Sequence, residues 1–134
     1  MSDVRYEVEP KVPDAALDEL FASAWDGARP RASGALLAQS LTYIGAFDGA
    51  RLVGFVNVAW DGGIHGFILD TTVHRAYQRR GIGTKLMRKA AEVSRHRGIE
   101  WLHVDFEPRW EKFYRGCGYR PTEAGLLQLS ESDT

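Results

Sequence analysis

Residues 77–92 read YQRRGIGTKLMRKAAE. Gly81 and Gly83 stand two apart behind Arg79 and Arg80, and apolar residues at helical spacing follow at once. A helix begins with about four backbone N–H groups that have no intrahelical partner. Together with the helix dipole they make an anion site. Glycine removes the side chains that would block a phosphate and lets the backbone curl. The two arginines add charge-assisted contacts. The stretch therefore has the chemistry of a pyrophosphate cradle. It is neither of two common phosphate loops: GIGTKL lacks the G-x-x-x-x-G-K-[ST] spacing, and Leu86 stands where G-x-G-x-x-G needs its third glycine. On its own, a plain turn explains the two glycines about as well.

The elements around the segment narrow the choice. YEVEP (6–10) alternates and reads as a first strand. PDAALDELFASAW (13–25) places Leu17, Leu20, Phe21, Ala24 and Trp25 at helical spacing, with Asp14 as N-cap. GARPRASG (27–34) reads as a loop, and a short helix over 35–40 follows. LTYIGAF (41–47) and RLVGFVNVAW (51–60) flank Asp48-Gly49, a hairpin signal. After the DGG turn (61–63) comes IHGFILDTTV (64–73), so that three consecutive strands form an antiparallel meander.

A helix over about 83–97 follows the glycines, ended by Gly98. Beyond it lie a strand at EWLHVDF (100–106), a short helix at PRWEKFYRGC (108–117), a last strand at GLLQL (125–129) and a frayed tail, SESDT. The order is α+β in a single domain spanning 1–134.

Composition excludes other classes. The chain has 134 residues, is 44% hydrophobic and 26% charged, and carries a net charge of −1, so nothing suggests a nucleic-acid binder. No apolar stretch approaches the roughly 20 residues that span a bilayer. The N-terminus lacks the pattern of a signal peptide. One cysteine, Cys117, allows no internal disulfide, and the chain reads as cytoplasmic. The histidines at 65, 74, 96 and 103 lack metal-ligand spacing, and no metal is expected.

The segment from Val73 to Met87, V-H-x-x-x-Q-R-R-G-I-G-T-x-L-M, resembles the acetyl-CoA motif Q/R-x-x-G-x-G/A of the GNAT superfamily of N-acetyltransferases, with Gln78, Gly81 and Gly83 in register. FYRGCGYRPT (113–122) is similar to the family's F-Y-x-x-x-G-F segment. The resemblance covers about residues 41–129 well and the first 40 in outline. It implies a mixed, mostly antiparallel central sheet flanked by helices, with the fourth and fifth strands splayed around the pantetheine arm of CoA. Acetyl-CoA is then the cosubstrate. The resemblance implies that backbone groups near Thr72, Val73 and His74 pair with it. The amides from Arg79 through Arg80, Gly81, Ile82 and Gly83 to Thr84 would hold its pyrophosphate, beside Gln78.

Further roles come from the same resemblance. Tyr114 falls where the family often places a tyrosine that protonates the departing thiolate. Asp70 matches a position where several members carry an acid near the acceptor, and His103 and Asp105 are alternative bases. Alternation puts Ile68, Asp70, Thr72 and His74 on one face of their strand. A departure lies at Glu107, where the family often has asparagine; Trp110 stands where a small residue is usual.

The resemblance implies transfer of acetyl to a primary amine by direct attack in a ternary complex. A non-catalytic acyl-CoA-binding sensor or regulatory module is the alternative. The acceptor would be a small-molecule or peptide amine, with neither nucleic acid nor membrane as partner. A homodimer is compatible with the resemblance, and no sequence feature decides it.

Overall fold

Asp48 closes one strand, Arg51 opens the next, and Gly49 between them adopts φ 61°, the left-handed conformation a tight hairpin needs. This hairpin joins β2 (Thr42–Asp48) to β3 (Arg51–Trp60). The computed structural model describes residues 3–27 and 29–130; most of the tail expected to fray lies outside them. The Asp61 carboxylate accepts from the Gly63 amide at 2.7 Å and shapes the second turn, which leads to β4 (His65–Val73). β1 (Val4–Val8) and β5 (Trp101–His103) complete the sheet in the order β1-β2-β3-β4-β5. All pairings are antiparallel except β4 with β5.

Helix α1 (Asp14–Ala24) covers one face of the sheet. Its Leu17, Leu20 and Phe21 are fully buried with Phe55 of β3, and the Phe21 and Phe55 rings meet edge to face at 5.9 Å. Asp14 is not the N-cap. Pro13 holds that position, and the Asp14 carboxylate instead accepts from the Gly34 amide at 2.9 Å, tying α1 to α2 (Gly34–Leu37). Ser33 caps α2 through its hydroxyl.

Helix α3 (Ile82–His96) covers the other face, burying Ile82, Leu86, Met87, Ala90 and Ser94. Gly54 of β3 lets it come close. A Cβ there would lie 3.0 Å from Leu86 Cδ1 and 3.1 Å from Ile82 Cγ2.

The chain forms two compact units, one ending at Val104 and one starting at Asp105. In the second, a 3-10 turn (Pro108–Trp110) runs into α4 (Glu111–Gly116), with Cys117 as its C-cap. No strand forms at 125–129, which is exposed. A strand needs a partner for its backbone groups as well as a pattern.

Candidate active site

Strand β4 departs from simple alternation at the residue of most chemical interest. Phe55 pairs with Thr72 and Asn57 with Leu69, so Asp70 and Thr71 together oppose Val56. This is a β-bulge, and Asp70 sits in it at φ 60°. Cross-strand partners share a face of the sheet. Ile68, paired with Val58, and Thr72, paired with Phe55, therefore lie on opposite faces. The expectation of one common face for Ile68, Asp70 and Thr72 is corrected by this one extra residue.

Two bonds hold the bulge. The Trp25 indole N–H donates to Thr72 Oγ1 at 2.9 Å, and that hydroxyl donates to the Asp70 carbonyl, also at 2.9 Å. Thr71 on the other side contacts Met87 Sδ at 3.8 Å. Asp70 itself is half-buried, and the loss of water around it raises the pKa of its carboxyl above the ordinary aspartate value. Among the described residues its carboxylate makes no hydrogen bond or ion pair. A half-buried carboxylate at a left-handed backbone position, with a raised pKa, has the chemistry of a candidate proton acceptor.

Past its short pairing with β5, the outer edge of β4 has no strand partner among the described residues. Its parallel pairing with β5 involves only His65, Gly66 and Phe67, and Ile68 to Val73 have no β5 partner. Successive residues of a strand direct their backbone groups to alternate sides. The His74 N–H donates to the Val53 carbonyl of β3 at 2.8 Å. Val73 accordingly directs its backbone to that outer edge, where the Gln78 side-chain amide donates to its carbonyl at 3.1 Å.

The chain then enters a short 3-10 turn, Arg75–Tyr77, before α3. His74 lies 3.1 Å from the Ala76 amide through Nδ1 and 3.0 Å from Arg51 through Nε2. A neutral imidazole has one acceptor nitrogen, so it satisfies one of these donors at a time. Burial, then the Arg51 charge, lowers the His74 pKa. Tyr77 donates to Asp48 Oδ2 at 2.6 Å, and the Arg80 guanidinium lies over the Tyr77 ring at 5.0 Å while donating to the Ala76 carbonyl. Arg79 has φ 66° and Gly81 φ 80°, two left-handed residues that curl the chain into the helix.

Gly81 is the N-cap of α3, and a Cβ there would meet nothing within 4 Å. The first helical bond over the cap runs from the Lys85 N–H to the Gly81 carbonyl. The amides of Ile82, Gly83 and Thr84 precede it and have no intrahelical acceptor. Open space, free amides and two arginines fit a pyrophosphate. Arg79, Arg80, Gly81, Ile82, Gly83 and Thr84 would hold it.

The alternative bases have different surroundings. His103 Nε2 is 2.8 Å from His65 Nδ1 at the exposed strand end, and its ring stacks on Phe67 at 4.9 Å. Asp105 is exposed. Glu107 pairs with Arg109 at 2.9 Å, and the Arg109 guanidinium covers the Trp110 ring at 4.9 Å.

In the second unit the Tyr114 ring stacks on Phe106 at 4.8 Å and meets Phe113 and Tyr119 edge-on at 4.9 and 6.1 Å. Aromatic contacts on three sides fix the ring. The neighbouring Tyr119 hydroxyl is buried without a hydrogen-bond partner among the described residues. Burial, then Cys117 and Tyr114, pushes its pKa up to about 12. Sequence reasoning did not identify Trp25 or Gly54 as site supports. Neither has a local signature, because each acts on residues far along the chain.

Comparisons with known proteins bear on the fold and the family. The chain is similar to an uncharacterized N-acetyltransferase from Porphyra purpurea, 32% identical over 69 residues. Those residues are 52% of this chain and 40% of that relative, so the match spans under half the relative's length. Among solved structures, a GNAT-family acetyltransferase from Streptococcus pneumoniae TIGR4 superposes with a TM-score of 0.79 at 23% identity, covering 97% of this chain and 100% of that one. An aminoglycoside N-acetyltransferase, AAC(6′)-Iy, in complex with CoA gives 0.75 at 18% identity, covering 98% and 97%. At such identities these likenesses establish the fold. The model of the acetyltransferase (GNAT) family matches residues 11–119, a span that takes in the bulged strand, the glycine mouth of α3 and the Tyr114 helix together. The chain belongs to the acetyltransferase (GNAT) family.

Proposed function

We propose that this chain is an N-acetyltransferase that moves acetyl from acetyl-CoA to a primary amine by direct attack in a ternary complex, as one domain comprising both units. The observation that carries the reading is the continuous path from the β4 edge at Val73, which has no strand partner among the described residues, to the amides at the mouth of α3. An extended arm can add to that edge as a strand does, and a pyrophosphate suits the amides. Acetyl-CoA bound there supplies an acetyl thioester.

The residues divide the proton work. Asp70 accepts a proton from the attacking amine, directly or through water, as the N–C bond forms. Tyr114 donates a proton to the sulfur as the C–S bond breaks. Holding both reactants together supplies much of the rate. The Tyr114 role rests on its place in the family-like motif. The Asp70 role rests on its burial, its raised pKa and its strained backbone. The acceptor is an amine on a small molecule or peptide. The proposed setting is the cytoplasm, which a single cysteine supports.

The test is CoA release from acetyl-CoA with a panel of polyamines, aminoglycosides, amino acids and peptides with free N-termini. Release that depends on one amine, with mass gain of one acetyl on that amine, is the expected result. Tight CoA binding with no release for any class would favour the non-catalytic acyl-CoA module instead.

A further inference from the structure

We propose that the acceptor is a primary monoamine whose nitrogen stands two or three carbons from an aromatic ring, and that Phe67 and Leu69 select it. The inference rests on the acetyltransferase reading and names the substrate class of that same site. The face involved follows from the register. Phe55, Asn57 and Ala59 alternate along β3 and share a face, the one on which Phe55 packs against α1. Their partners on β4 are Thr72, Leu69 and Phe67, which therefore lie on the α1 face too. Thr72 is buried there, whereas Leu69 and Phe67 are 39% and 36% exposed.

This apolar strip is continuous with the candidate base. Leu69 is the neighbour of Asp70, and Phe67 lies three residues from it, about 10 Å along a strand. A ring carried two or three carbons from the nitrogen reaches across Leu69 to Phe67. The cofactor arm takes the edge of β4, so the face is left to the acceptor. Phe67 is also a fixed platform. The His103 ring stacks on it at 4.9 Å, and His103 Nε2 is held 2.8 Å from His65 Nδ1. A ring already ordered loses little freedom when a second ring packs on it.

The charges set the class. A polyamine or an aminoglycoside carries several ammonium groups, and each one taken out of water needs a carboxylate. Asn57, Ala59, Phe67, Leu69 and His103 supply none. Asn57 is occupied by the Ser40 hydroxyl at 2.6 Å, and Asp61 in the adjoining turn is engaged by the amides of Gly63 and His65. Asp70 is then the one acid for one amine, and the rest of the acceptor meets apolar surface.

The measurement is kcat/KM for acetyl transfer from acetyl-CoA to 2-phenylethylamine, n-butylamine, spermidine and kanamycin. We expect 2-phenylethylamine to lead each of the others by about tenfold or more. Faster transfer to spermidine or kanamycin overturns the proposal and leaves the acetyltransferase reading intact. Phe67→Ala should lower the ratio of 2-phenylethylamine to n-butylamine about tenfold, and Phe67→Tyr, which keeps the ring, should restore it. An unchanged ratio in folded Phe67→Ala overturns the proposal. Should that variant fail to fold, Leu69→Gln carries the same comparison. If no amine is acetylated, the acetyltransferase reading fails, and equilibrium dialysis of 2-phenylethylamine against the CoA-loaded chain decides the site. Binding that is lost in Phe67→Ala supports the aromatic-amine site, and no binding overturns it.

Discussion

The Trp25 indole donates to the Thr72 hydroxyl at 2.9 Å, joining the end of α1 to the bulge in β4. Thr72 is almost fully buried, and its hydroxyl passes the bond on to the Asp70 carbonyl. The contact connects a helix on one face of the sheet with the backbone of the candidate base. It gives the Thr72 side chain a role separate from the backbone pairing expected of that position.

Thr72→Val keeps the shape but leaves the indole N–H and the Asp70 carbonyl without partners. Such a loss costs about 1–3 kcal/mol. The expected result is a lower urea midpoint with an unchanged slope, and recovery in Thr72→Ser. A Thr72→Val variant as stable as the native chain would mean the bulge needs no tether.

Much of the frame was legible because its signals are local. Asp48-Gly49 demands a hairpin, and the apolar spacing of Leu86, Met87, Ala90, Ala91 and Val93 demands a helix with one buried face. The Asp70 bulge was not legible. One extra residue leaves the composition of β4 unchanged, and aspartate rather than glycine takes the left-handed position. Asp14 had the chemistry of a cap, but a tertiary acceptor role for Gly34 outweighed it. The missing last strand shows the same limit: pattern provides the wish to pair, and only a partner satisfies it.

Gly54→Val tests how α3 is seated. Its Cβ would press on Leu86 and Ile82 at 3.0 and 3.1 Å, and on Ala46 at 3.2 Å. Overpacking of this kind costs about 1–3 kcal/mol. Because Ile82 begins α3, the cradle amides should shift and the thermal stabilisation by acetyl-CoA should shrink. A variant that loses stability but keeps the full ligand shift would uncouple Gly54 from the cradle.

The two cradle glycines should behave differently. Gly81 has φ 80° with open space around a Cβ, so Gly81→Ala should cost about 1–2 kcal/mol through backbone strain alone. Gly83 lies in the first turn of α3, where a branched side chain would crowd the amides of the proposed pyrophosphate site. Gly83→Val should stay folded and lose the rise in melting temperature that acetyl-CoA produces. Native-like CoA affinity in Gly83→Val would remove this helix mouth from the binding site.

Tyr114→Phe keeps the ring on Phe106 and deletes only the hydroxyl. A positioned general acid contributes about 10²–10⁴-fold in rate. Turnover should fall within that range while CoA affinity holds. A twofold effect or less, with chemistry shown to be rate-limiting by single-turnover kinetics, would exclude the role.

Asp70→Asn separates function from stability. Burial raises the native carboxyl pKa above the ordinary 3.8, so the folded state binds its proton more tightly than the unfolded chain does. Below 3.8 both states are protonated and burial of the charge costs nothing. As pH rises through the raised native value, the chain loses stability, and the penalty is complete above it. Asparagine carries no such charge and tolerates the left-handed φ of 60° at this position. Asp70→Asn should therefore exceed the native chain in stability at pH 7, with an advantage that shrinks as pH falls toward 3.8. Urea unfolding across that window measures it, and a gap independent of pH would mean the native carboxylate is not destabilised by burial. Activity should move the other way. Most aliphatic amines, with pKa near about 10.4, are protonated at neutral pH and need a base. Loss of that base should cut kcat/KM about 10²–10⁴-fold at neutral pH, with partial recovery in alkaline buffer where free amine accumulates. Superimposable pH–rate profiles for the two proteins would exclude Asp70 and direct the same test to Asp105, His103 and Glu107.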